Sequence, residues 1–358
     1  MKGRGAVSNR NSRYLPTRSV YEPGLTACER DDADWPDPAP ATECRPETAR
    51  TIIARNRSPD VPFDQSINPY RGCEHGCVYC YARPTHAWLD LSPGLDFETR
   101  LTYKANAAEQ LEAELSAPGY RVSPITIGAN TDPYQPVEKR LQITREILDV
   151  LHRFRHPFSL ITKSNLVCRD IDLLHDMAGQ GLVSVAVSVT TLDRDLKRAM
   201  EPRTPDGAAR LQTVARLSDA GIPTSVLVAP VIPALNDCEL ETILAAAADA
   251  GAVSAGWILL RLPMEIKDLF EEWLLEHYPD RAEHVMSLIR QSRGGAAYDT
   301  RFGHRMRGTG AFADLLARRF DVACRRLDLQ QRERHQRLQL DCSRFRVPPR
   351  HGDQFSLF

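Results

Sequence analysis

The sequence predicts an α/β fold in which parallel strands alternate with helices. Six short apolar runs have the length and composition of buried strands, and segments of helical periodicity separate them. The clearest helical segment places Ile143, Ile147, Val150, Leu151 and Phe154 on one face. Successive strand–helix units require parallel strands joined by right-handed crossovers. A doubly wound sheet and a partial (β/α)6 barrel both satisfy this pattern.

These elements follow one another between about residue 61 and residue 265. The predicted strands are 66–70, 124–129, 158–162, 183–189, 224–229 and 256–262. The predicted helices are 107–115, 143–154, 171–178, 208–219 and 240–248. In both candidate folds the functional site lies at the carboxyl ends of the strands. The residues just after each run are therefore the candidates for function.

The flanking regions differ from this central part. Residues 1–60 are rich in proline and charge and show little periodicity, which predicts an extended or mobile arm. Residues 266–340 predict a helical, arginine-rich extension, with apolar faces over 266–277, 282–290 and 312–327. Residues 341–358 predict a polar tail.

The composition excludes several classes of protein. With 358 residues, 42% hydrophobic and 26% charged, the chain is neither collagen-like, a coiled coil nor wholly disordered. The first 16 residues lack the apolar core of a signal peptide, and Asp249 and Gly251 interrupt the most apolar stretch, 243–260. These features predict a cytoplasmic protein, in which clustered cysteines more often bind metal than pair.

Three of the nine cysteines are clustered directly after the first predicted strand. Cys73, Cys77 and Cys80 form a C-x3-C-x2-C pattern that can wrap one inorganic centre. A structural zinc site needs a fourth ligand, and His75 is poorly placed to provide it between two of the cysteines. Three ligands on a four-iron cluster leave one iron open, which favours a catalytic iron–sulfur centre. Zinc and three unligated thiols are the alternatives.

This cysteine spacing, with Tyr79 before the last cysteine, resembles the cluster loop of the radical S-adenosylmethionine (SAM) superfamily. The resemblance implies a partial (β/α)6 TIM-type barrel and so favours the barrel over the doubly wound sheet. It also implies a [4Fe-4S] cluster whose open iron chelates the amino and carboxylate groups of SAM. An electron donor would reduce the cluster, and cleavage of SAM would give a 5'-deoxyadenosyl radical.

Four strand-end segments resemble those of the spore photoproduct lyase branch, which includes many proteins described as DNA-repair photolyase-like: 128–133, 161–163, 188–190 and 201–204. The resemblance to this branch implies that Lys163 contacts the SAM carboxylate and that Ser188 contacts the same cofactor. It places Thr131 and Asp132 near the methionine end. The structural alternative for each residue is a polar side chain that caps the following helix.

The resemblance fails at one member of the hydrogen-atom relay of this branch. Tyr79 and Tyr81 match two tyrosines of the relay; Tyr79 is also expected to contact adenine through its backbone, and Tyr81 to line the site. The hydrogen-donating cysteine of the lyase falls on Asn130, and an amide has no weak bond to hydrogen. Cys168 is a possible substitute, or simply a small buried hydrophobe. We therefore do not expect thymine-dimer reversal by the lyase route.

The net charge of −1 conceals two regions of opposite charge. Residues 281–358 contain 16 arginines, no lysine and 8 acidic residues, a charge of +8, whereas residues 1–280 carry −9. One arginine run could contact the phosphates of a nucleic acid: Arg301, Arg305, Arg307, Arg318, Arg319, Arg325 and Arg326. A solvated helix face is the alternative, because the whole chain has 40 arginines and only 6 lysines.

The last five residues, 354–358 (Gln-Phe-Ser-Leu-Phe), resemble the peptide by which bacterial repair proteins dock on the sliding clamp. Phe355 departs from the usual leucine, and folding of Leu357 and Phe358 onto the barrel is the alternative. Taken together, the sequence predicts a radical SAM enzyme that abstracts hydrogen from a bulky substrate, with nucleic acid favoured. Modification of RNA, protein or a metabolite, and a non-catalytic iron–sulfur binding module, are the competing hypotheses.

Overall fold

The computed structural model describes residues 3–14, 41–331 and 339–349. In chain order its strands are β1 (Glu43–Glu47), β2 (Ala54–Arg55), β3 (Gln65–Ile67), β4 (Tyr70–Arg71), β5 (Arg100–Lys104), β6 (Ile125–Ile127), β7 (Phe158–Thr162), β8 (Val183–Ser188), β9 (Thr224–Val231), β10 (Ser254–Leu259) and β11 (Gln330–Gln331). Its α-helices are α1 (Asp96–Thr99), α2 (Ala107–Leu115), α3 (Glu138–Leu141), α4 (Ile143–Arg153), α5 (Ile171–Ala178), α6 (Arg194–Met200), α7 (Gly207–Asp219), α8 (Leu240–Asp249), α9 (Ile266–His277), α10 (Pro279–Gln291), α11 (His304–Arg307) and α12 (Ala311–Arg326). Short 3-10 helices cover Arg83–Leu89, Asn165–Asp170 and Asp237–Glu239.

The main sheet has the strand order β2-β3-β6-β7-β8-β9-β10-β11. Every pair from β3 to β11 is parallel, and only β2 runs antiparallel to its neighbour. All six predicted strands are in this sheet, so the predicted α/β fold class is confirmed. Among the described strands, β2 and β11 do not pair with each other, and the sheet is an open, partial barrel.

Burial explains why these short runs form parallel strands. All six residues of β8 and all three of β6 are buried, as expected for strands covered on both faces. The helices cover the sheet with their apolar faces; α4, for example, buries Ile147, Leu148 and Leu151. Helices α2, α5 and α9 begin and end at the residues that the sequence pattern predicts.

A second, three-stranded sheet, β1-β5-β4, lies at the start of the barrel. Strand β1 is parallel to β5, and β4 is antiparallel to it. The sequence patterns did not predict this sheet. It matters for the site because the three clustered cysteines lie in the segment that connects β4 with β5.

The described parts of residues 1–60, where the sequence predicts an extended or mobile arm, contain buried residues and a paired strand. Arg4, Ala6 and Ser12 are buried, and β1 is paired along its whole length with β5. These residues are held by hydrogen bonds to distant partners, such as the Glu98 carboxylate. They do not form an amphipathic helix or strand, so their sequence shows no periodicity.

The C-terminal part crosses the outside of the barrel. Gly308 lies beside Leu259 at the carboxyl end of β10, and β11 pairs with the start of β10, so α12 runs from the carboxyl end of the sheet to its amino end. Phe345 then packs against Tyr120, Phe154 and His156. The clamp-like peptide 354–358 lies outside the described residues and stays a prediction. No described helix combines the length and the apolar character needed to cross a bilayer.

Candidate active site at the carboxyl ends of the strands

The cysteine pattern forms a compact loop, residues 72–82, which we call the cluster loop. Backbone hydrogen bonds run from the Cys73 N–H to the Phe97 carbonyl (2.9 Å) and from the Cys80 N–H to the Cys77 carbonyl (3.2 Å). Gly72 and Gly76 have φ of +78° and +68°, in the left-handed region that favours glycine. A Cβ at Gly76 would lie 2.7 Å from the Glu98 carboxylate. Both glycines are therefore required by the path of the loop.

The three thiols suit a positively charged centre. Cys73 and Cys77 are buried and Cys80 is half-buried. Burial raises the pKa of Cys77 to about 12, and it also raises the pKa of Cys73 and Cys80. Thiolates in such a place need the compensating charge of a metal centre. Three sulfur donors within eight residues of chain fit an iron–sulfur cluster. Across the described ranges, no three His, Cys, Asp or Glu side chains are spaced to hold a single metal ion.

A buried ion pair secures the outer side of the cluster loop. The Arg83 and Glu98 side chains are fully buried and 2.5 Å apart, and Arg83 Nε donates to the Cys77 carbonyl (2.9 Å). The Glu98 carboxylate also accepts hydrogen bonds from the backbone N–H groups of Gly5 (3.0 Å) and Ala6 (2.8 Å). Residues near the start of the chain are thereby fastened to the loop.

A second buried ion pair joins the cluster loop to the end of β8. Glu201 pairs with Arg210, whose Nη1 donates to the Ser188 carbonyl (3.1 Å). The Tyr79 hydroxyl donates to Glu201, and so does the Thr190 hydroxyl (2.8 Å). Burial alone would raise the pKa of Glu201, but the charges of Arg210 and other neighbours outweigh it and hold this pKa at about 2.

Asp132 and Thr131 lie at the predicted edge, but their polar atoms are bonded to protein. Asp132 accepts hydrogen bonds from the Thr162 hydroxyl (2.7 Å) and the Lys163 N–H (2.8 Å). Burial opposes its ionisation, yet His75 and these hydrogen bonds lower its pKa to about 2. The Thr131 hydroxyl donates to the Tyr70 carbonyl (2.8 Å). In this arrangement Asp132 fixes the end of β7.

Lys163 is different, because its ammonium group has no hydrogen bond or ion pair within the described part of the chain. It follows β7, and its Nζ lies 5.9 Å from the centroid of the Tyr79 ring. Burial would lower the pKa of Lys163, but the neighbouring Cys77 and Glu201 raise it. Its charge is thus available beside the cluster loop. Ser188 is buried at the end of β8, where Arg210 fixes its carbonyl group.

Tyr81 and Asn130 lie on the open side of the cluster loop. The Tyr81 hydroxyl donates to the Ala129 carbonyl, and 45% of this residue is exposed. The Asn130 N–H donates to Asn68 Oδ1 (2.9 Å). Tyr81 thereby links the cluster loop to the residues that follow β6. Cys168, by contrast, packs against the main hydrophobic core.

Several residues that hold the site together were missed by sequence reasoning. Besides the two buried ion pairs, Gln135 clamps the cluster loop: its amide donates to the Gly72 carbonyl (3.2 Å) and accepts from the Glu74 N–H (2.8 Å). Glu201 lies in one of the strand-end segments singled out above, which is the one available signal. The others are ordinary polar residues whose burial depends on contacts distant in sequence.

Comparisons with known proteins agree with this geometry. The family model of the radical SAM superfamily matches residues 67–247. An uncharacterized protein of Mycobacterium tuberculosis is 39% identical over 243 residues, which cover 66% of this chain and 72% of the relative. An uncharacterized protein of Methanocaldococcus jannaschii is 30% identical over 173 residues, or 48% of this chain and 62% of the relative.

Solved structures show the same fold. Spore photoproduct lyase complexed with dinucleoside spore photoproduct superposes with a TM-score of 0.59, at 14% identity, over 81% of this chain and 82% of the lyase. A double mutant of that enzyme with bound AdoMet and the same dinucleoside gives a TM-score of 0.58 at 15% identity, over 81% of each chain.

The family match spans the strand that precedes the three cysteines, the cluster loop and the strand ends that face it. The fold, the loop geometry and the donor set agree with that match. The chain therefore belongs to the radical SAM superfamily and is an enzyme that uses a [4Fe-4S] cluster and S-adenosylmethionine.

Proposed function

We propose that this enzyme abstracts a hydrogen atom from a nucleic acid. The observation that carries the proposal is the composition of one rim of the site, residues 298–307, which follows α10 and lies against the end of β10. Phe302 is 57% exposed, and the Arg305 guanidinium lies 4.6 Å from its ring centroid. Exposed aromatic rings stack on bases, and Arg307, which is exposed and has no ion pair among the described residues, is available to phosphates.

The solved structures support the same substrate class. The spore photoproduct lyase structures that share this fold contain a dinucleoside spore photoproduct. At 14–15% identity they establish the fold alone. The support for a nucleic-acid substrate therefore comes from the fold together with the aromatic and basic rim.

The residues around the cluster loop would share the work of binding the cofactors. Cys73, Cys77 and Cys80 would hold the cluster, which when bound supplies the single electron that cleaves SAM. Lys163 would bind the SAM carboxylate, because its ammonium group lies beside the loop and has no hydrogen bond or ion pair among the described residues. Ser188 would lie against the same cofactor, with its backbone fixed by Arg210.

Three other residues would position the cofactor or the residues that bind it. Asp132 would orient Lys163 through the hydrogen bond to its N–H, and Thr131 would hold the neighbouring turn to the Tyr70 carbonyl. Tyr79 would contact adenine through its backbone, since its hydroxyl is already bonded to Glu201.

The hydrogen-atom relay of the lyase is not part of this proposal. Asn130 offers no weak bond to hydrogen, and the hydroxyl hydrogens of Tyr79 and Tyr81 are donated to Glu201 and to the Ala129 carbonyl. Tyr81 and Asn130 would instead line the place where the substrate enters.

The experiment is transfer of deuterium from substrate to cofactor. The reconstituted, reduced enzyme is incubated anaerobically with SAM and with uniformly deuterated DNA or RNA oligonucleotides. We expect deuterium in the 5'-deoxyadenosine that forms with one of the two polymers. A Cys77→Ala variant, which loses a cluster ligand, is the control and should form none. SAM cleavage without any transfer from either polymer would contradict a nucleic-acid substrate.

A further inference from the structure

We propose that Arg261 and Arg293 form a binding site for a phosphate group of the substrate beside the cluster loop. That the phosphate is a phosphodiester of nucleic acid follows from the proposed function. The anion site itself is inferred from the geometry of the two arginines.

Arg261 lies against two tyrosines near the end of β10. Its guanidinium carbon lies 5.4 Å from the centroid of the Tyr81 ring and 5.9 Å from that of Tyr298. Its Nη2 also donates to the Tyr298 hydroxyl (3.2 Å). Because Tyr81 directly follows Cys80 and reaches the Ala129 carbonyl, this stack places Arg261 at the open side of the cluster loop. A stacked guanidinium presents its planar edge to a ligand in a fixed orientation.

Arg293 lies beside it and is almost fully buried, with 3% exposed. Its terminal nitrogens donate to backbone carbonyls, those of Leu260 (2.7 Å) and His304 (2.8 Å) among them. Burial and repulsion from Arg261 together lower the pKa of Arg293 to about 10. Two like charges are therefore close together in a place of limited access to water.

Neither arginine forms an ion pair with a carboxylate among the described residues. In both, Nε is buried and has no hydrogen-bond partner. Asp299, the acidic residue that attracts Arg293, is bonded to Arg301 at 2.8 Å. By contrast, the buried arginines Arg83 and Arg210 each pair with a glutamate. A buried charge without a counterion is costly, and a bound anion would offset that cost.

A phosphate suits this pair better than the carboxylate of SAM. Lys163 follows β7 and is available for the SAM carboxylate, whereas Arg261 follows β10, three strands further along the main sheet. The two neighbouring guanidinium charges, with the Nε–H groups that have no partner in the described residues, suit the several oxygens of a phosphate. A phosphodiester bound here would bring the adjoining nucleoside to Tyr81 and Asn130, at the mouth of the site.

The test measures binding, so it does not depend on turnover. The reconstituted holoenzyme is titrated, unreduced and with SAM, into a fluorescein-labelled single-stranded oligonucleotide, and anisotropy is followed at several salt concentrations. We expect Arg261→Gln to weaken binding by about tenfold or more. The slope of log K against log salt should fall by about 0.7 for one lost phosphate contact. The control is Arg153→Gln, the same charge change at the end of α4, which should leave both values unchanged.

A conservative variant and a second probe separate the possible outcomes. Arg261→Lys should keep the salt slope, because the charge remains, but bind more weakly, because the planar fork is lost; it also serves if Arg261→Gln does not fold. Inorganic phosphate is titrated calorimetrically in parallel. Oligonucleotide binding that is equal in wild type and both variants would overturn the anion site but leave the proposed substrate class intact. Phosphate binding that Arg261→Gln abolishes, with no oligonucleotide bound by wild type, would support the site and contradict nucleic acid. No binding of either probe would overturn both.

Discussion

We expect loss of the buried ion pair between Glu201 and Arg210 to lower the stability of the protein markedly. Glu201→Gln removes one charge and leaves the Arg210 guanidinium buried without its counterion. The same carboxylate also accepts from Tyr79 on the cluster loop and from Thr190 after β8. The substitution therefore acts at the point where the cluster loop is joined to the barrel.

The expected loss follows from the pKa of the carboxyl group. The pKa of Glu201 is lowered from its ordinary value of 4.5 to about 2. A difference of about 2.5 in pKa corresponds to about 3 kcal/mol of stability, the same order as the ~3–5 kcal/mol for breaking a buried ion pair. Because the folded-state pKa is the lower one, this contribution is complete above pH 4.5 and is lost as the pH falls towards 2.

The assay is urea unfolding at pH 7, followed by fluorescence under anaerobic conditions. We expect Glu201→Gln to lower the free energy of unfolding by about 3 kcal/mol. The matched control is Glu241→Gln. Glu241 pairs with Arg319 at 2.7 Å, but its side chain is 45% exposed, so this loss should stay within about 1 kcal/mol. Equal losses in the two variants, or a difference that persists undiminished towards pH 2, would refute the reasoning.

Two further predictions concern the cofactor and the chain start. Lys163→Met should weaken SAM binding by about tenfold or more in equilibrium dialysis, since a charged hydrogen bond is lost. Lys267→Met removes an ammonium group that pairs with Asp268 and Glu271 on α9, and it should have no effect. An unchanged Kd for Lys163→Met would remove that residue from the cofactor site. Glu98→Gln should speed hydrogen exchange at the Gly5 and Ala6 amides, because the acceptor of both loses its charge. Unchanged exchange would show that other contacts hold this segment.

The central fold was predictable because its signals are local. Strands β6 to β10 are short, mostly apolar runs, and a helix such as α4 has its apolar residues three or four apart. Strand β1 gives no such signal: Glu43–Glu47 reads Glu-Cys-Arg-Pro-Glu and is ordered by pairing with β5, more than 50 residues away. Strand β11 has two glutamines and no apolar residue, so only its place beside β10 makes it a strand.

For the site, the sequence carried a local signal for the cofactor but none for the contacts that hold the cluster loop. Cys73, Cys77 and Cys80 carry their geometry in their spacing, so the sequence could point to the cluster. The ion pairs that hold the loop join residues of types that are mostly exposed in folded proteins, and nothing in the local sequence marks Glu98 or Glu201 as buried. Their roles depend on which distant segments the fold brings against the loop.

Charge is where the structure changes the interpretation most. The arginine run of the C-terminal part suggested one basic surface, but Arg301, Arg305 and Arg319 each pair with a carboxylate. Residues 325–326 end α12 at the amino end of the sheet, opposite the cluster loop. Arg261 belongs to none of these groups, precedes the basic region, and lies beside the cluster loop without a carboxylate partner in the described residues. A count of charges along the sequence measures the excess of arginine, whereas a phosphate responds to the charge that folding leaves uncompensated at the mouth of the site.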